Sequence, residues 1–333
     1  MRHPTDGITE TMAFETGTDV MVGLRIGAEP GGALLRAVGH DGQMAHGFNI
    51  ERELHQRLRG PVPPEVIAWV EREVGGGVVE QEPLEGGRSA AIHRLILDRG
   101  KDLVVQRFVL DWISEEPWVP ANEALVLELL ADTQVPTPRL VSADPAGALM
   151  GVPTVLMTAL PDHVVWDPQD LDAWIDALVS ILMTIHQTEV TGSLRSWEAY
   201  APEQVPPVWT QHRWAWERAI AAYEDDRPAS DRVFLHRDFH PGNILWANGR
   251  ISGVVDWTSS CAGPPEEDVA HCRVNLAGHH GQAIADRFLD RWMQATGRTE
   301  YHPYWDLLDV VSMGGSQPDP RLDEFVASAA ARL

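Results

Sequence analysis

The sequence predicts an α+β fold of two lobes, a small sheet-rich one followed by a larger, mostly helical one. Three observations carry this. Between residues 78 and 110, short apolar runs alternate with glycine-rich or charged turns. A buried strand-like run, 152–160, then ends at Pro161. Beyond Pro161 the apolar residues take helical spacing, most plainly over 171–186.

Residues 1–60 form an N-terminal extension rich in Gly, Thr and His, to which the sequence assigns no role, although 50–58 has the pattern of a helix. The first lobe spans 61–160. Pro64 suits a first helical turn, and 65–74 follows with apolar residues at helical spacing. Residues 78–84 and 90–97 read as strands around the turn Glu85-Gly86-Gly87-Arg88-Ser89, and 103–110 reads as a third strand. Residues 122–130 read as a helix with Leu127 and Leu130 on its apolar face, and Leu140-Val141 as entry to another strand. The second lobe spans 161–333. It holds the helix over 171–186, a Trp-rich helix over 208–223, strand-like pieces at 233–235, 243–246 and 251–255, and further helical segments to the end. Two lobes joined by a connector near 157–161 leave a cleft, where small ligands usually bind.

The charge balance narrows the function. The chain of 333 residues carries 26 Lys+Arg against 49 Asp+Glu, a formal net charge of −23. Such a surface repels nucleic acid and anionic membranes, because phosphate contacts need clustered cations. It suits a cationic small-molecule partner. No apolar stretch reaches the ~18 residues a membrane span requires. The N-terminus has no basic start followed by an apolar run, so no signal peptide is expected. Cys261 and Cys272 form no C-x-x-C pair, and their scarcity fits a reduced, cytoplasmic compartment.

The chemistry concentrates in His236-Arg237-Asp238-Phe239-His240-Pro241-Gly242-Asn243. Phosphoryl transfer asks a protein to cradle phosphates, hold Mg²⁺ and place an acceptor hydroxyl near a base. Asp238 and Asn243 have the D-x-x-x-x-N spacing of a kinase catalytic loop. Pro241 and Gly242 between them favour a turn over a helix, which brings both side chains to one ligand. After the turn Ala247-Asn248-Gly249-Arg250, an apolar run leads to Asp256-Trp257-Thr258, where kinases carry their metal-binding carboxylate. A carboxylate ending an apolar strand is costly unless it meets a cation or donors.

These segments, with Gly253-Val254-Val255-Asp256-Trp257, resemble the aminoglycoside phosphotransferase family over roughly 61–333. That resemblance implies a bilobal protein-kinase-like fold, ATP and Mg²⁺ as cofactors, and a small-molecule hydroxyl as acceptor. By position it implies Asp238 as catalytic base and Asn243 and Asp256 as Mg²⁺ ligands, with His236 bracing the loop. It also implies a nucleotide-binding first lobe. There the turn amides at Gly86 and Gly87 would cover the phosphates. The connector, with Met157, Ala159 and Leu160, would hold adenine. The family carries a Lys or Arg on the third strand, and here one alignment puts Gln106 in that position and another Arg107. Strand alternation sends the two to opposite faces. Phosphate charge favours Arg107, with Glu123 as the helix carboxylate paired to it. Asp268 resembles a structural or substrate-side Asp of the family, and suits still better a carboxylate at a helix N-terminus.

Two other classes fit parts of the pattern. His236, Asp238 and His240, with His271, His279 and His280 downstream, have the look of a metallohydrolase ligand set. That reading leaves Asn243 and Asp256 without a task. A non-catalytic nucleotide-binding pseudokinase would explain Gln106, but Asp238, Asn243 and Asp256 are all in place.

Overall fold

Pro64 stands at the first position of a helix, where its missing N–H costs nothing. The computed structural model describes residues 52–84, 89–161, 163–200, 205–224, 227–313 and 318–333. Most of the N-terminal extension and the Gly86–Gly87 turn lie outside them. The sheet half runs α1 (Arg52–Arg59), α2 (Pro64–Val74), β1 (Val78–Pro83), β2 (Ala91–Leu97), β3 (Leu103–Arg107), α3 (Val119–Leu130), β4 (Leu140–Asp144) and β5 (Thr154–Thr158). Its five strands pair antiparallel in the order β1-β2-β3-β5-β4.

The two faces of this sheet bury different partners. Leu95, Leu103, Val105 and Leu156 pack with Val66, Trp69 and Val70 of α2. Val155 and Met157 face the other way and join the main core with Val126, Leu127 and Leu130 of α3. This alternation decides where every polar residue of β3 points. The strand ends at Arg107, shorter than the expected 103–110. The Phe108 amide still donates to Pro153 O at 2.9 Å, but a 3-10 turn over Asp111–Ser114 then carries the chain away.

The helical half follows as β6 (His163–Val164), α4 (Leu171–His186), α5 (Arg213–Tyr223), β7 (Val233–Leu235), β8 (Ile244–Ala247), β9 (Arg250–Val254), β10 (Cys261–Gly263), α6 (Pro265–His280), α7 (Gln282–Thr296), α8 (Tyr304–Met313) and α9 (Pro320–Arg332). The expected helix over 171–186 forms, capped by Asp170, whose side chain accepts from the Ala173 amide. The expected helix over 208–223 starts only at Arg213. Before it, the buried Asp323 accepts from the Thr210 hydroxyl and from the Gln211 amide at 2.7 Å, which fixes those residues in a turn. Helix α6 is the buried centre of this half, packed against α7, α8 and α9. A buried charge clamp holds it to α8: Arg273 Nε donates to Asp306 Oδ1 at 2.9 Å, both side chains fully buried. No helix is long and apolar enough to cross a membrane among the described residues.

Candidate active site

The loop between β7 and β8 is held from three sides. Asp268, fully buried near the start of α6, accepts from the His236 amide at 3.0 Å and the Arg237 amide at 2.6 Å. His186, at the end of α4, approaches the same carboxylate at 3.0 Å through Nε2. Asp268 is therefore an anchor of the loop backbone. His236 braces the loop as expected. Its Nδ1 accepts from the Asp238 amide at 3.3 Å, so Nε2 carries the proton and donates to Val255 O at 3.0 Å. Burial pushes its pKa down, which suits this neutral form. Arg237 has φ 66, a left-handed conformation unusual for a non-glycine residue. Its guanidinium donates to Glu198 O and stacks over the Tyr200 ring. His240 folds back so that its Nδ1 accepts from the Gly242 amide at 3.0 Å. A Cβ at Gly242 would meet the His240 ring at 2.5 Å, so only glycine fits under that imidazole.

This scaffold brings Asn243 into contact with Asp238 and ties the residue before Asp256 to the same loop. Asn243 Nδ2 donates to Asp238 O at 2.9 Å and lies 3.2 Å from Asp238 Oδ2. The Val255 amide donates to Asn243 O at 3.0 Å, which ties the end of β9 to the loop. Asp256 follows with φ 64, and its Oδ1 accepts from the Thr258 hydroxyl at 2.6 Å. The segment after it is joined to α3, where Asn122 Nδ2 donates to Ser260 O at 2.9 Å and Thr258 O at 3.1 Å.

On the sheet side, Gln106 and not Arg107 faces this group. The Gln106 amide nitrogen donates to Glu123 Oε2 at 3.1 Å and Oε1 at 3.2 Å. Arg107 shares its face with Leu103 and Val105, against α2, where Glu65 and His93 are its titratable neighbours. The preference for Arg107 as the phosphate cation is therefore corrected. Alternation separates the two residues as expected, but the face buried by α2 takes the arginine. Glu123 does meet the residue in the cation position, and that residue is uncharged. Burial, then the nearby Asp256 carboxylate, raise the Glu123 pKa well above the usual carboxylate range. No arginine or lysine pairs with Glu123 among the described residues. At the connector, the Ala159 amide donates to Asp102 O at 2.9 Å, so it is not available to adenine. Met157 is buried in the main core.

The hard oxygens of Asp256 and Asn243 suit Mg²⁺.

The sequence missed one partner of Asp238. His271 of α6 is 1% exposed, and its Nε2 lies 3.0 Å from Asp238 Oδ1. Its Nδ1 lies 3.0 Å from Asp309 Oδ1 on α8. Burial alone would lower its pKa, but Asp309 first and then Asp238 outweigh that and hold it up at about 10. Only the clustering of histidines hinted at it. The metallohydrolase set does not assemble as one group. His236 is spent on Val255 O, and His279 and His280 gather with Asp167 instead. Asp238, His240 and His271 do have ligand atoms within 4.8 Å of one another. Metal ligation there needs a neutral imidazole, whereas two carboxylates keep His271 protonated.

A family model described as the phosphotransferase enzyme family matches residues 80–311. The uncharacterized protein YcbJ of Bacillus subtilis (strain 168) is 25% identical over 185 residues, 50% of this chain and 58% of that protein. Spectinomycin phosphotransferase APH(9)-Ia, in complex with ADP and spectinomycin, superposes with a TM-score of 0.56 at 14% identity, covering 82% of this chain and 100% of that one. A thermostable mutant of aminoglycoside phosphotransferase APH(4)-Ia, in complex with AMP-PNP and hygromycin B, gives 0.55 at 15% identity over 80% and 99%. At such identities the two structures establish the kinase-like fold.

Proposed function

The chain belongs to the phosphotransferase enzyme family, a small-molecule phosphotransferase by that membership, and on this premise we propose that it moves the γ-phosphoryl group of ATP to a hydroxyl of a cationic small molecule. The observation that carries the reading is the contact of Asn243 with Asp238 and the bond from the Val255 amide, next to Asp256, to Asn243 O. Asn243 and Asp256 would hold Mg²⁺, which when bound neutralises phosphate charge. Asp238 orients the acceptor hydroxyl and takes its proton. The freed electron pair of the acceptor oxygen forms the new bond to phosphorus, and the bond to the bridging oxygen breaks with its pair staying on ADP. His236 and Asp268 keep the Asp238 backbone in place throughout.

A net charge of −23 is compatible with a cationic acceptor. Hygromycin B and spectinomycin, bound by the structural neighbours, are of the polyhydroxylated antibiotic kind this surface suits. A chain with two cysteines suits the cytoplasm, where ATP is abundant. Gln106, an uncharged amide, and Glu123 would line the nucleotide side. The test is an ATP-consumption screen across hydroxylated small molecules, aminoglycosides and amino alcohols first, with Asp238→Ala as control. Acceptor-dependent ADP release that vanishes in the variant supports the proposal, and release that persists refutes it.

A further inference from the structure

We infer that His271 is a positioning residue for Asp238, set in place by Asp309. The inference rests on the phosphotransfer reading above and deepens it. Asp238 comes from the loop after β7, His271 from α6 and Asp309 from α8, so three separate elements converge on one line of contacts. His271 Nδ1 lies 3.0 Å from Asp309 Oδ1, and its Nε2 3.0 Å from Asp238 Oδ1. Asn243 Nδ2 lies 3.2 Å from the other Asp238 oxygen. One Asp238 oxygen lies against His271 and the other against Asn243, so the carboxylate is flanked on both sides. A base must present its lone pair within a few tenths of an ångström of the acceptor proton, and this bracket supplies that.

The contacts are not needed merely to join the helices. Arg273 and Asp306 already clamp α6 to α8 with a buried bidentate pair. Asp309 is 4% exposed and His271 1% exposed, whereas the Asp238 side chain keeps 22% of its surface open. The buried arm thus ends on the one member that reaches solvent and substrate. In the transfer step the acceptor proton passes to the Asp238 carboxylate, while His271 keeps both its ring protons and only holds the carboxylate.

The test uses the full chain with MgATP and water as the acceptor, read as slow ADP release. In His271→Gln, kcat is expected to fall about 100-fold with KM for ATP unchanged. Asp309→Asn should fall in the same direction, and the double variant should be no worse than His271→Gln, because both act along one line. Thermal melts report whether each variant folds. Should His271→Gln fail to fold, the His271 ring nitrogens are observed by NMR in folded Asp238→Asn, where their resonances should move. A kcat within twofold of the unaltered chain, a loss in KM instead, or ring signals indifferent to Asp238→Asn would each overturn the inference. Absence of any ADP release sensitive to Asp238→Ala would overturn the phosphotransfer reading itself, a result distinguishable from these.

Discussion

On the helical side of the site, Asp238 is held at its amide by His236 and at its two carboxylate oxygens by His271 and Asn243. On the sheet side, Gln106 meets Glu123 as an uncharged amide against a carboxyl whose ionisation is opposed by burial and by Asp256. One wall is tied by contacts from several elements, and the other sets an uncharged amide against a carboxyl in the place of an ion pair. The difference separates two tasks. Proton removal demands a fixed base, so its geometry is over-determined. On the proposed reading a metal at Asp256 and Asn243 meets the phosphate charge, and the sheet need not supply a cation. Lys101, the chain's one lysine, sits instead in the exposed turn between β2 and β3.

The largest effect on nucleotide binding should come from breaking the metal side. Asp256→Ala is expected to weaken MgATP binding about 100-fold and leave binding without Mg²⁺ unchanged, read by calorimetry with and without the metal. Equal loss in both conditions would place the phosphate charge elsewhere. The next contrast is electrostatic. The folded-state pKa of His271 is raised from 6.5 to about 10, so the folded chain holds its proton more tightly than the unfolded one. The stability this adds is fully present below about pH 6.5 and is lost as pH rises towards 10. Denaturant unfolding across that range should show the decline, and His271→Gln should flatten it. Sharpening the sheet wall gives a smaller effect. Gln106→Lys restores a cation opposite Glu123 and should tighten ATP binding about tenfold, the worth of one charge-assisted hydrogen bond. Arg107→Gln, on the face buried by α2, should leave nucleotide binding unchanged in the same titration. A loss there comparable to that of Asp256→Ala would return Arg107 to the cleft.

The catalytic loop was legible because its information is local. The spacing from Asp238 to Asn243 and the apolar run into Asp256 are properties of about twenty consecutive residues, and in the structure Asn243 meets Asp238 while Val255, next to Asp256, bonds Asn243. The order of strands and helices was legible for the same reason, through periodicity. What pairs at long range was not. Asp238 and His271 are 33 positions apart on different elements, and His186 reaches Asp268 across 82 positions. Neither contact leaves a periodic trace. The Gln106 and Arg107 choice failed in a different way. Alternation states that they diverge, but which face is the cleft depends on α2 covering Leu103 and Val105, a packing fact outside the strand. The same holds at the start of α5, where Asp323, more than a hundred positions away, holds Thr210 and Gln211 out of the helix.

The central claim is that Asp238 serves the chemical step and not the binding of nucleotide. It is tested most directly by measuring turnover and the Kd for MgATP side by side in the full chain and in Asp238→Ala, with the acceptor the screen selects. Turnover should fall about 10³-fold while the Kd stays where it was. Undiminished turnover in Asp238→Ala, or a loss confined to the Kd, would contradict the claim.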